Sequence, residues 1–434
     1  MLAGGAVAPG AAARERGGKT AEDGVWRVTG YGTVLSAADG VLREYQTSAA
    51  GCVPGFTARR TTAPGAYRTD DGTVFTLRPN GRLAVAGSAG TRELRRLPGL
   101  PEACRHPLPA DPLTAFDVFW QSFEENYPFF AAKGIDWHAV RDAYRPRVHA
   151  GTSRDELFGI FSDMVRPLND AHVAVFEGDR YFAGVRPGTT VPGPELDARA
   201  KAHIVRRDLG GRPLTEFANG RIGYADLPDG MGYLRISGFA GYDRRDPSYA
   251  AQLAELDRAL DAVLTPERAA SLRGLVIDVR INGGGSDALG LRVAGRLTDR
   301  PYTAYRKRTR YTAPEPVGVV PQRGAARYTG PVAVLTAGTT FSAGETFTQA
   351  LIDRPGGAVR VGQPTQGVFS DTLTRGLPDG MEVWLPNEEF LTRSGRTFDG
   401  TGIPPHVWTP VFTEEEFAAG RDSAFDAAVR QLQL

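Results

Sequence analysis

Cysteine is scarce: Cys52 and Cys104 are the only two, both in the first quarter of the chain and both in Gly- and Pro-rich surroundings. With no third cysteine and no histidine pair at ligand spacing, the sequence offers no zinc site, and neither a metal nor another cofactor is expected. In an exported protein the two cysteines would pair; the alternative is two unrelated thiols. Charge of one sign is also lacking. The 51 basic and 50 acidic side chains nearly cancel and no Lys/Arg block stands out, which argues against nucleic acid or an anionic membrane as partner. No apolar run approaches the roughly 20 residues that cross a bilayer, so no membrane anchor is expected. Histidine is limited to six residues, which leaves a short list of candidate general bases.

With 434 residues, 41% of them hydrophobic, the chain is long enough for two or three cores. Residues 1–24 are Ala- and Gly-rich, as in a flexible N-terminus or the remnant of a signal peptide, although a basic leader is missing. A remnant would place the protein in the secreted or cell-envelope fraction, and a plain tail would leave the cytoplasm open. Residues 25–110 alternate in short runs broken by turns such as Pro79-Asn80-Gly81, predicting a small β-rich domain. Residues 111–175 space Phe116, Phe119, Trp120 and Phe123, then Leu157, Ile160, Phe161 and Met164, as helices do. Residues 176–218 read as a linker with short strands. From 219 to 434 apolar strands alternate with amphipathic helices, so the fold class is α/β, or α+β over the whole multidomain chain.

Three segments of this last region, and one before it, carry chemistry. The strand PVAVLT runs through AGTTF into a helix beginning at Ser342, which places a hydroxyl at a helix N-terminus where an oxyanion would be stabilised. The same S-A-G-E segment also reads as a capping box between Ser342 and Glu345. The strand GLVIDVR ends in Asn282 and three glycines, 283–285, whose bare N–H groups suit an oxyanion hole or a tight turn; the phosphate-binding spacings are absent. Asp278 and Arg280 at that strand end form a candidate ion pair. Among the histidines, His106, His138 and His149 have surface or packing contexts and His203 lies in the linker. His172, in LNDAH, sits at a helix-to-strand junction. Asp399, in the turn TFDGTG, is a candidate orienting carboxylate or an ordinary Asp-Gly turn.

In order from about residue 111 to 410, the segments NYPFF, LNDAH, GYLRI, LVIDVRINGGG, TFSAGE, VGQPTQG and FDGTGIPPH resemble the tail-specific, or C-terminal-processing, serine peptidases. The resemblance is particularly to their branch with the tricorn core and the interphotoreceptor retinoid-binding repeats. The resemblance implies a crotonase/Clp-like ββα superhelix for the catalytic domain. It implies Ser342 as nucleophile, His172 as general base, Asp399 as orienting acid, and backbone N–H groups of Gly284 or Gly285 and of Ala343 as oxyanion hole. Phe341, Thr365 and Gln366 would line a peptide or unfolded protein substrate. The chain departs from the family in four ways: Gly367 replaces the lysine of the Ser/Lys branch, Ala171 the serine before the histidine, and Asp399 a glutamate, while residues 176–218 are too few for a PDZ module. Asp170 is a second polar partner for the histidine, and His406 follows where an acid is common. Two other readings are a ligand-binding protein on a peptidase fold, which Ala171 favours, and crotonase-like acyl-CoA chemistry, which leaves Ser342, His172 and Asp399 unexplained.

Overall fold

The computed structural model describes residues 23–433, so the leader reading of the first residues lies outside it up to residue 22. Eight antiparallel strands from Gly24–Val28 to Arg92–Leu97 form a closed barrel, sealed where the first strand pairs with the last (Val25 with Leu97). The Asn-Gly turn joins Val74–Arg78 to Arg82–Val85, with Gly81 at φ +73° as such a turn requires. A disulfide joins Cys52 to Cys104, tying the strand Gly51–Arg60 to the short turn Glu102–Cys104 beyond the barrel.

Three helices follow: Pro112–Asn126, Trp137–Tyr144 and Arg154–Val165. The first starts where Asp111 accepts the N–H groups of Leu113 and Thr114 and proline occupies the first turn; the third starts on a capping box of Ser153 and Glu156. Their apolar faces meet in an aromatic core, with Phe119 stacked on Phe161 at 4.0 Å, continuous with barrel residues Leu35, Leu42 and Leu83.

The same core takes in Leu373, Val383 and Leu385 from far along the chain. The strands Thr372–Gly376 and Glu382–Pro386 leave the C-terminal half and pair antiparallel with each other; Glu382–Pro386 also pairs antiparallel with Ala174–Glu177, and that strand with Arg180–Ala183, in one four-stranded sheet. This exchange fixes the strand that follows His172 against residues that follow Ser342.

The segment read as a linker contains a 14-residue helix, Pro194–Arg207, with Glu195 and Asp197 in its first turn and Arg206 and Arg207 in its last. It buries only Ala200, His203 and Ile204, too narrow a stripe to show as apolar periodicity. His203 thus lies inside a packed helix, with Nε2 2.9 Å from the Arg421 carbonyl oxygen.

A seven-stranded sheet organises the rest, in the order 215–217, 222–226, 231–236, 274–278, 332–336, 359–362, 407–408, and it is parallel from Met231–Ile236 onward. Its inner strands Gly274–Asp278 and Val332–Thr336 are buried throughout. Just beyond the first, Arg280 is fully buried between Asp278 and Asp422, a pairing that anchors the last helix to the sheet.

Candidate active site

The two central strands are parallel neighbours, so the loops leaving their carboxyl ends lie side by side, the place where open α/β sheets build sites. These loops are zipped together. Asn282 N–H donates to the Thr339 carbonyl, Phe341 N–H donates to the Asn282 carbonyl, and Thr340 Oγ1 donates to the Val279 carbonyl at 2.8 Å. The Asn282 side chain braces the turn by donating to the Ile236 carbonyl and accepting from Gly284 N–H, both at 2.9 Å.

Ser342 sits at the end of the second loop with φ +52° and ψ −116°, a conformation rare for a residue with a side chain. Such strain costs about 1–3 kcal/mol and is typical of a strand-to-helix turn that thrusts a nucleophile forward. The helix that follows, Ala343–Ala350, is buried over its whole length. Ser342 is half-buried. Gly284 abuts it so closely that a Cβ there would lie 2.7 Å from Ser342 Cβ and 3.2 Å from Ala343 N. Because Gly284 N–H is taken by Asn282, the N–H groups without a partner among the described residues are those of exposed Gly285 and of Ala343.

His172 reaches this point from the other half of the chain: its ring packs edge-on against Phe341, next to Ser342, with centroids 5.3 Å apart. Burial pushes its pKa down, opposed by Asp170, Asp371 and the Ser370 backbone. Its Nδ1 is buried without a partner. Asp399 is buried as well. Its Oδ2 accepts the Phe369 N–H at 3.3 Å and its Oδ1 has no partner. His172 and Asp399 therefore meet the same chain segment at adjacent residues, Ser370 and Phe369, and each presents one unsatisfied buried atom. Burial, with Asp170 nearby, holds the Asp399 carboxyl well above the ordinary range, while Lys133 works the other way. Asp170 itself accepts the His172 N–H on Oδ1 and the Tyr127 hydroxyl on Oδ2, with Lys133 Nζ 3.7 Å from that oxygen.

The segment Gly367–Asp371 is a hub that the sequence did not reveal. Glu345 accepts its first two N–H groups, from Gly367 at 2.6 Å and Val368 at 2.9 Å, and Asp399 accepts the third. Ser370 Oγ accepts from Asn387 and Glu388. Asp371 receives Ser88 Oγ of the barrel at 2.6 Å and Lys307 at 3.0 Å; burial would raise its pKa, but Lys307 and Arg92 bring it down to about 2. Lys307 also pairs with Glu388 at 3.1 Å and lies 3.7 Å from Asp287, so the barrel rests on a buried ionic cluster.

Gly367, at the position of the family's lysine, has φ +91°, and a Cβ there would come within 2.9 Å of Gly402 N. Thr365 and Gln366 are fully buried. Thr365 Oγ1 accepts the Ile403 N–H at 2.8 Å, and Arg186 donates to both carbonyls, so these residues brace the loop instead of lining an open cleft. Phe341 remains half-buried beside Ser342. His406 accepts the Arg360 N–H at 3.0 Å on the outer strand and takes no part in the cluster around His172. Among the described residues no group of side chains suited to a metal ion occurs and no helix is long and apolar enough to cross a membrane.

A serine, a buried imidazole, a buried carboxyl and outward N–H groups gathered at one sheet edge can carry out acyl transfer. The comparisons agree in kind. Residues 230–409 match the model of peptidase family S41, and residues 108–166 that of the tricorn protease C1 domain. Among solved structures, a candidate peptidase from Parabacteroides merdae is 25% identical, with a TM-score of 0.62 over 75% of this chain and 97% of its own. Mature CPAF, solved with lactacystin, is 14% identical with a TM-score of 0.52, over 74% of this chain and 97% of its own. A lipoprotein from Streptococcus agalactiae is 16% identical with a TM-score of 0.50, over 76% and 98%. These last two share the fold. No curated protein sequence matches the chain.

Proposed function

The chain belongs to peptidase family S41 and is a serine-type hydrolase, and from that premise we propose that it cleaves peptide bonds through an acyl-enzyme on Ser342. The observation that carries this reading is the strained Ser342, placed at the carboxyl end of a central parallel strand with the His172 ring against its neighbour Phe341. His172 takes the Ser342 proton as the hydroxyl attacks the substrate carbonyl, and returns it to the leaving amine; water then repeats the cycle on the acyl-enzyme. Asp399 is the orienting acid. Its unpartnered Oδ1 and the unpartnered His172 Nδ1 are an acceptor and a donor left over in the same buried region. The oxyanion is received by Ala343 N–H and by the glycine turn, where Gly285 N–H is available without displacing Asn282. Each such donor is worth roughly 3 kcal/mol in serine hydrolases.

The strand and helix succession from residue 222 onward is read as the ββα superhelix that the resemblance implies. Peptides or unfolded protein segments are the substrates, and the Cys52–Cys104 disulfide supports a secreted or cell-envelope setting. The ligand-binding alternative gains no support from the comparisons. A fluorophosphonate probe tests the proposal: it labels the folded protein and not Ser342→Ala. Equal labelling of the two, or none of either, overturns it.

A further inference from the structure

Beside the oxyanion turn, the barrel and the catalytic domain enclose a cavity of about 240 Å³. Barrel residues Thr73 and Ala86 form one wall, and Phe239, Tyr249, Leu289 and Gly285 form the other. The Gly285 N–H that borders it has no partner among the described residues. Phe239 and Leu289 are buried core residues whose edges face this space, so its lining is mostly apolar. The volume is below the roughly 300–1,000 Å³ of sites that enclose a small molecule, and it suits one large side chain.

The barrel wall is rigidly placed. Ser286 Oγ, one residue past Gly285, donates to the Gly87 carbonyl at 2.6 Å, and Ala89 N–H donates to Asp287 Oδ1 at 2.7 Å. These bonds sit on either side of the seam, so residues 86–89 keep a fixed distance from the glycine turn. At the mouth lies exposed Asp71, whose carboxylate is held ionised by Thr69 and by Thr73. A peptide whose carbonyl oxygen lay at Gly285 N–H would have its neighbouring residues within reach of this space.

We infer that the cavity between the barrel and the glycine turn is a substrate subsite that receives an apolar side chain of the peptide near the bond being cut. The barrel is then a specificity element, its residues Thr73 and Ala86 setting the depth of the pocket. This rests on the acyl-enzyme reading of Ser342.

The test compares internally quenched peptides that differ only in carrying Leu or Gly at each position around the cleavage site. In the wild-type protein one position shows a Leu-to-Gly ratio of kcat/KM of at least ~10. Filling the cavity from the barrel side, by Ala86→Phe or independently by Thr73→Phe, brings that ratio to about 1. A wild-type ratio near 1 at every position, or a ratio unchanged in both variants, overturns the inference. Hydrolysis of p-nitrophenyl acetate by the wild-type protein separates the two levels: activity on the ester with no Leu preference removes the subsite alone. Failure on ester and peptides alike removes the Ser342 reading, and the subsite with it.

Discussion

The carboxyl of Glu345 holds the backbone of Ser342: Oε2 accepts the Ser342 N–H at 3.1 Å while the same group accepts from Gly367 and Val368. The other half of the capping box thus joins Ser342 to the segment that meets His172 and Asp399. Glu345→Gln keeps the shape but replaces one acceptor oxygen with an amide nitrogen. At least one of the three N–H groups then faces a donor, costing about 1–3 kcal/mol of stability. Displacement of the hub by a fraction of an ångström is expected to lower kcat by up to about 100-fold with KM little changed. Denaturant unfolding and steady-state kinetics on one preparation check both. Burial raises the Glu345 pKa to about 8. The stabilisation from this group is therefore full below the ordinary 4.5 and is lost as pH rises toward about 8, a slope that Glu345→Gln removes.

Strain at Ser342 makes a second prediction. Glycine adopts φ +52° and ψ −116° without a Cβ penalty, so Ser342→Gly gains about 1 kcal/mol of stability over wild type while abolishing acyl transfer. Ser342→Ala, which keeps the Cβ, shows no such gain. Unfolding midpoints of the three proteins decide it; a glycine variant no more stable than the alanine variant contradicts the strain.

The pH profile follows from two opposed shifts. Burial keeps His172 neutral to below its ordinary range, whereas Asp399 is held protonated to above its own. The rise of kcat/KM with pH then reports ionisation of Asp399 more than that of the imidazole. Lys133 favours the ionised Asp399, so Lys133→Met moves that rise to higher pH. A shift to lower pH, or none, contradicts this assignment.

Reduction of Cys52–Cys104 opens a loop of 52 residues. Loop-closure entropy puts the loss at about 4 kcal/mol. A Cys52→Ala, Cys104→Ala protein should unfold at correspondingly lower denaturant, with the barrel transition moving most, as followed by tryptophan emission from Trp26.

Local signals carried much of the site. The glycine turn, the TFSAGE helix start and the LNDAH junction each combine a turn residue with a change of hydrophobic period, and those patterns are visible within a dozen residues. Asp170 was visible as a polar neighbour of His172, though not its bond to Tyr127, which depends on how two helices pack. Residues 367–371 have no motif of their own: their bonds go to Glu345, Asp399, Asn387 and Ser88, partners fixed only by tertiary pairing. The helix Pro194–Arg207 leaves no apolar periodicity in the sequence because it buries three residues. The closure of the barrel is likewise non-local, since it requires the strand at Gly24 to find the strand at Arg92. Thr365 and Gln366 are substrate-lining residues by the resemblance alone, and both are buried here, with their carbonyls bonded to Arg186.

The pairing of Ala174–Glu177 with Glu382–Pro386 also has a consequence in time. The strand that follows His172 has only its hairpin neighbour Arg180–Ala183 until some 200 residues more have been synthesised, and the Asp399 turn comes later still. On the proposed mechanism, a chain emerging from the ribosome with Ser342 already made still lacks Asp399 and the strand that completes the sheet beside His172. On that mechanism the hydrolase stays inert toward itself and its surroundings until its two halves have closed on each other.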